Sequence, residues 1–216
     1  MLLENLRKEV LTAALQLIRY GLVTLTGGNV SGRDEQTGYI AITPSGMDYE
    51  QLSPSDIVII DGAGNMVDGK WKASVDTKDH LYIYRQRPDI RGIIHTHSPY
   101  ACSFAMLHRE IPCCSTTLAN EVGGSVPVAR YTPVAEAAIG PAVMEVLGDK
   151  NACLLANHGV IAVGHSVRHA LVAAVMLEDG AKVYHLASLK GEPVQLPPEE
   201  IEKARNVFLY TYGQNS

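Results

Sequence analysis

Among the eight histidines of this sequence, three stand where they can act together. His95-Thr-His97 closes the apolar run Gly92-Ile-Ile94. In an extended strand, residues i and i+2 point to the same face, so two imidazoles at that spacing can grip one ion. His158 lies in Asn157-His-Gly159, between the apolar runs 152–156 and 160–163, and the small Gly159 leaves room for a close neighbour. A lone histidine in an apolar strand is usually a hydrogen-bonded core residue. A His-x-His strand end with a third histidine in a strand-flanked loop favours a metal centre instead. Three neutral imidazoles suit Zn2+, or Mn2+ or Co2+, with one coordination position left for substrate. His108, His165, His169 and His185 fall in polar or helical contexts and read as surface or packing residues. His80 falls one helical turn after Asp76 and is given no role.

Two further segments carry polar groups suited to an anion. Ser74-Val-Asp-Thr-Lys-Asp-His80 stands at the start of a helical stretch, where Ser74 or Asp76 can cap exposed backbone amides. Thr26-Gly-Gly-Asn-Val-Ser-Gly32 reads as a glycine-rich loop, whose amides can approach a phosphate closely and beside which Asn29 and Ser74 add donors. Taken alone, the first is a helix cap and the second a tight turn.

These groups need a scaffold, and hydrophobic periodicity supplies its outline. Helical spacing marks residues 3–18, 78–87, 99–107, 134–147, 167–189 and 198–209. Strand patterns mark 39–43, 56–60, 92–97, 126–131, 152–156 and 160–163. Helices and strands alternate irregularly. The expectation is one layered α/β domain over residues 1–216, with a mixed, mainly antiparallel central sheet and helices on both sides.

Composition narrows the function classes. The chain has 216 residues, 46% hydrophobic and 19% charged, with a formal net charge of -5. That acidity argues against a non-specific nucleic-acid binder. No stretch approaches the roughly 18 apolar residues of a membrane span, and the charged N-terminus lacks a signal-peptide core. Cys102, Cys113, Cys114 and Cys153 form no Cys-x-x-Cys pair, so free thiols in a cytoplasmic protein are expected.

Six motifs in chain order resemble the class II aldolase/adducin family, in its sugar-phosphate branch. They are Thr26-Gly-Gly-Asn-Val-Ser31, Thr43-Pro-Ser-Gly46, Ser74-Val-Asp-Thr77 with His80, His95-Thr-His97, Asn157-His-Gly159 and Tyr212-Gly213. The resemblance implies one divalent metal per subunit on His95, His97 and His158, with Asp76 as the site carboxylate and a ligand or proton carrier. It implies phosphate binding by Gly28, Asn29, Ser45, Gly46, Ser74 and Val75. It makes Tyr212 a catalytic residue reaching a neighbouring subunit's site in a homotetramer. The implied activity is reversible retro-aldol cleavage of a phosphorylated ketose, through an enediolate that the metal stabilises.

The alternatives within the family are a pentulose-phosphate 4-epimerase and a non-catalytic adducin-like scaffold. The scaffold lacks the metal histidines that this chain retains. The epimerases carry an acidic catalytic residue where Asn120 stands, and an asparagine cannot exchange a proton in that way, which favours cleavage. Val75 replaces a second serine, removing one hydroxyl donor to phosphate. Thr116 replaces the tyrosine of the fuculose aldolases, whereas Asp76-Thr77 and Tyr212-Gly-Gln214 lean toward the epimerases.

Overall fold

The computed structural model describes residues 1–133 and 136–211. Within these residues, eight strands form one sheet: β1 (Gly28–Arg33), β2 (Ile40–Ile42), β3 (Val58–Ile60), β4 (Met66–Asp68), β5 (Gly92–Thr96), β6 (Val128–Ala129), β7 (Ala152–Leu155) and β8 (Gly159–Gly164). Their order across the sheet is β4-β3-β2-β1-β5-β8-β7-β6. Only β6 and β7 run parallel; every other neighbouring pair is antiparallel.

Side-chain alternation divides the core cleanly in two, as the period of a strand requires. On one face, Val30, Ile94, Leu154, Val160 and Ala162 pack against α1 (Glu4–Arg19), α3 (Pro99–Met106), α4 (Thr116–Glu121) and α6 (Val167–Ser188). On the other, Ile93, Cys153, Leu155, Ile161 and Val163 pack against α2 (Thr77–Gln86) and α5 (Ile139–Leu147). The last helix, α7 (Pro198–Thr211), lies against α4. The sheet is thus mixed, mainly antiparallel and covered by helices on both sides, as its hydrophobic pattern indicates. No helix among the described residues is long and apolar enough to cross a membrane.

The glycine-rich segment differs from its sequence reading. Residues 28–33 are not a loop but the central strand β1, hydrogen-bonded to β2 and β5. Its glycines serve close packing rather than a turn. A β-carbon on Gly28 would come within 2.7 Å of the His95 carbonyl oxygen, and one on Gly32 within 2.6 Å of Val167 Cγ2. The turn itself is short, closed by the Gly27 amide donating to the Thr24 carbonyl at 3.1 Å. The strand expected over 126–131 contracts to Val128–Ala129, and the helix expected from 134 begins at Ile139; residues 134 and 135 lie outside the described residues. Helix α4 and strand β4 are too short to show a period in the sequence.

Candidate metal centre and anion cleft

The sheet positions the imidazoles. His95 has the parity of Ile93 and so faces the α2 side; in register it opposes Asn29 on β1 and Ile161 on β8. Its Nδ1 lies 2.9 Å from the Val160 carbonyl oxygen. A carbonyl only accepts, so Nδ1 carries the proton and Nε2 presents a lone pair. That Nε2 lies 3.0 Å from His97 Nε2. His158 completes the group, with ring centroids 4.8 Å from His95 and 5.2 Å from His97. One ring nitrogen from each of the three residues lies within 4.8 Å of the other two.

Gly159 makes this approach possible. A β-carbon there would lie 2.4 Å from the Thr96 carbonyl oxygen, 2.8 Å from His97 Cδ2 and 3.0 Å from His95 Cε1. Asn157, just before His158, adopts the left-handed conformation at φ 55°. Its amide donates to the Ala105 carbonyl at 3.2 Å, and its side-chain oxygen lies 2.5 Å from His108 Nε2. The His158 turn is therefore tied to the end of α3.

Burial sets the protonation state. Desolvation pushes the His95 imidazolium down to about 3, with the neighbouring imidazoles of His158 and His97 adding to the effect. His97 and His158 are also lowered, chiefly by burial, while the Asp76 carboxylate pulls both back upward. All three imidazoles are thus neutral donors at pH 7, the form a metal requires. Donor type, number and mutual distance fit one divalent ion.

The same histidines line a cavity of about 200 Å³ together with Asp76. Its remaining wall includes the six residues associated with phosphate: Gly28, Asn29, Ser45, Gly46, Ser74 and Val75. The Ser45 amide donates to the Lys72 carbonyl at 2.9 Å and the Ser74 amide to the Thr43 carbonyl at 3.1 Å. These two residues can therefore offer an anion their hydroxyls rather than their amides. Val75 is 64% exposed and has no hydroxyl to offer.

Asp76 occupies the N-cap position of α2 but makes no side-chain cap bond. Its Oδ2 instead accepts a 2.6 Å hydrogen bond from Asn29 Nδ2, inside the protein. Asp76 borders the three histidines without joining the group of nitrogens within 4.8 Å. Asn120 lies elsewhere, on α4, where its backbone carbonyl accepts from Arg205 Nη1 of α7 at 2.5 Å. Two further carbonyls, of Ala204 and Thr116, orient its amide, so that Nδ2 donates to both at 3.0 and 3.1 Å. Tyr212 lies outside the described residues.

Sequence reasoning missed a set of polar rungs between β1 and α2. Asn29 meets Asp76; Ser31 Oγ lies 2.8 Å from both His80 Nδ1 and Tyr84 Oη; Arg33 Nη1 donates to the Tyr84 carbonyl at 2.9 Å. The signal was present as polar residues at 29, 31 and 33 facing 76, 80 and 84, a strand period against a helix period. Reading β1 as a loop hid it.

Comparison with known proteins places this geometry. Residues 8–185 match the family described as Class II Aldolase and Adducin N-terminal domain. The chain is 37% identical over 214 residues to a 5-deoxy-D-ribulose 1-phosphate aldolase of Bacillus thuringiensis serovar kurstaki, covering 99% of this chain and 100% of that one. A solved L-fuculose 1-phosphate aldolase superposes with a TM-score of 0.91 at 35% identity, over 95% of this chain and 96% of its own. An L-fuculose-1-phosphate aldolase of Thermus thermophilus superposes with a TM-score of 0.74 at 27% identity, over 88% of this chain and 98% of its own.

Proposed function

This chain belongs to the class II aldolase and adducin family and is an enzyme of the aldehyde-lyase kind; from that premise we propose that it is a metal-dependent aldolase of a ketose 1-phosphate. The observation that carries the reading is the single cavity where three neutral imidazoles meet the hydroxyls of Ser45 and Ser74. In this reading the imidazoles hold an ion and the two hydroxyls a phosphate within the same cavity.

His95, His97 and His158 would hold the ion, which when bound supplies a Lewis acid for the ketose carbonyl. The protein's own groups do the rest. Ser45 and Ser74 hold the phosphate and so fix the carbonyl end of the substrate in the cleft. In the retro-aldol step the C3–C4 bond breaks, the C4 hydroxyl loses its proton to a base, and the bonding electrons pass to the carbonyl. A proton returned to C3 then completes dihydroxyacetone phosphate. Asp76, held at the cavity wall by Asn29, is the carboxylate placed to carry a proton at C3. Tyr212, from a neighbouring subunit of a homotetramer, belongs to this proposal as the group at the departing aldehyde oxygen.

The relatives named above act on 5-deoxy-D-ribulose 1-phosphate and L-fuculose 1-phosphate. Both are 1-phosphorylated ketoses ending in a methyl group, and we take that class as the substrate. A 4-epimerase must return protons on both faces of the cleaved aldehyde, and Asn120 cannot carry one.

The test loads the protein with Zn2+, Mn2+ or Co2+ in turn and supplies each ketose 1-phosphate, following dihydroxyacetone phosphate with a coupled reductase, and in a separate sample L-ribulose 5-phosphate, followed by NMR. Release from either substrate, abolished by a chelator, is the expected result. Inertness toward both would overturn the reading, as would conversion of L-ribulose 5-phosphate to D-xylulose 5-phosphate without free fragments.

A further inference from the structure

Two buried polar atoms have no hydrogen-bond partner among the described residues: Oδ1 of Asn29, in the cavity wall, and Nε2 of His80. Their neighbours fix what each atom is. Asp76 only accepts, so the Asn29 amide must turn its Nδ2 toward the carboxylate, leaving Oδ1 as an acceptor. On the next rung, Ser31 Oγ lies 2.8 Å from both Tyr84 Oη and His80 Nδ1, and Tyr84 Oη also reaches the Arg91 carbonyl oxygen at 3.5 Å. Donation from Tyr84 to Ser31 and from Ser31 to His80 Nδ1 places both hydroxyl protons on 2.8 Å contacts, the shortest on offer. His80 is fully buried, and burial pushes its imidazolium down to about 4, so the ring is neutral. With Nδ1 accepting, the one ring proton sits on Nε2.

The two orphans are therefore a donor and an acceptor. They stand on adjacent rungs, since Asn29 and Ser31 share one face of β1 and His80 lies one turn beyond Asp76 on α2. The two atoms are not within bonding distance of each other, and one water between the two rungs would satisfy both.

We infer that His80 is a positioning residue: its Nε2–H, through one buried water, holds the Asn29 amide with Nδ2 aimed at Asp76, and so fixes the carboxylate at the wall of the cavity. The chain Tyr84, Ser31, His80, Asn29, Asp76 then donates in one direction, ending on the one acceptor that faces the substrate. His80 touches no substrate. It keeps the Asp76 carboxylate from rotating onto the helix cap that it would otherwise make.

This inference rests on the aldolase reading for its kinetic consequence only. The test uses full-length, metal-loaded protein and two variants, His80→Leu and His80→Gln; a glutamine can accept from Ser31 and donate onward. Two-bond 1H–15N correlation spectra of the wild type report the tautomer of His80, and the Asn29 side-chain amide signals report its partners. The expected wild type has the Nε2–H tautomer, with slowly exchanging Asn29 amide protons. His80→Leu should shift those signals and speed their exchange, and cut kcat about tenfold with KM unchanged. His80→Gln should restore both. A wild-type Nδ1–H tautomer would overturn the inference even if neither variant folded, and so would Asn29 signals indifferent to His80→Leu. An inactive wild type with the expected tautomer and amide signals would sink the aldolase reading and leave the positioning role standing.

Discussion

Asn29 donates to Asp76 across 2.6 Å between the central strand and the first turn of α2, at a point where both side chains are at least nine-tenths buried. The contact withdraws Asp76 from the helix cap that its position would favour and holds it at the wall shared with His95, His97 and His158. Asn29→Ala removes the donor and leaves a buried carboxylate unmatched. A buried hydrogen bond to a charged group is worth about 1.5–3 kcal/mol. Urea unfolding should show a loss of that order, and kcat should fall more than the substrate affinity does. A variant with wild-type kcat would show that the contact only braces the fold.

The buried imidazoles make the metal-free protein sensitive to mild acid. His95 is depressed to about 3 and His80 to about 4, both by desolvation, against about 6.5 when unfolded. Depressed folded values mean that the unfolded chain binds more protons below pH 6.5. The stability that these residues confer is therefore complete above pH 6.5 and lost as the pH falls toward 4 and then 3. The slope is roughly 1 kcal/mol per pH unit for each group. Urea midpoints in chelator at pH 7.5, 6.0 and 5.0 test this above the range where most carboxylates titrate. A flat profile would contradict it. Added Zn2+ should raise the midpoint at pH 7.5 and lose its effect at pH 5.0, because protons compete for the same nitrogens.

The cluster of three histidines was legible because its logic is local. His95-Thr-His97 needs only the period of a strand, and the cluster follows once β5 and β8 pair. The two-sided sheet was legible for the same reason, since alternate residues such as Ile93 and Ile94 feed different cores. The site's inner support was not legible, because it depends on packing between distant segments. Gly28 and Gly32 look like loop residues until one sees the His95 carbonyl and Val167 pressed against them. His80 has no assignable role until α2 is laid on β1. Asn120 follows the same rule: its place beside α7 is set by the carbonyl of Ala204, far along the chain.

Gly159 offers a sharp test of the cluster. The clash of an added methyl with the Thr96 carbonyl at 2.4 Å involves backbone on both sides and cannot be relieved by a rotamer change. Gly159→Ala should move β8 from β5 or tilt the imidazoles apart. Metal affinity, read by competition with a chromogenic chelator, should drop by at least about tenfold. Stability should fall by about 1–3 kcal/mol, the range for overpacking a dense core. Unchanged metal affinity would mean that the histidines do not bind the ion as a group.

Asn120→Asp separates chemistry from packing at that position. The wild-type amide donates to two carbonyls at 3.0 and 3.1 Å, and a carboxylate cannot donate to either. The variant should lose about 1–3 kcal/mol through these two unpaired acceptors, or several degrees of Tm. It should gain no epimerase activity on L-ribulose 5-phosphate, followed by NMR. Appearance of D-xylulose 5-phosphate would show that position 120 reaches a reacting aldehyde, and the aldolase assignment would then depend on that one side chain.

Val75→Ser asks whether the anion sits where the loops suggest. Val75 is 64% exposed at the cavity, so truncating it costs no core packing, and a serine there adds a third hydroxyl beside Ser45 and Ser74. A hydrogen bond to a charged phosphate is worth up to about 1.5–3 kcal/mol when buried and less in water. At this exposure about 1 kcal/mol, or roughly fivefold in affinity, is the reasonable scale. The phosphate does not react, so the new bond strengthens ground state and transition state alike, and uniform binding lowers KM without raising kcat. Inorganic phosphate should also inhibit the variant at lower concentration than the wild type. An unchanged KM together with unchanged phosphate inhibition would place the anion away from the start of α2, with Ser45 and Ser74 left to packing.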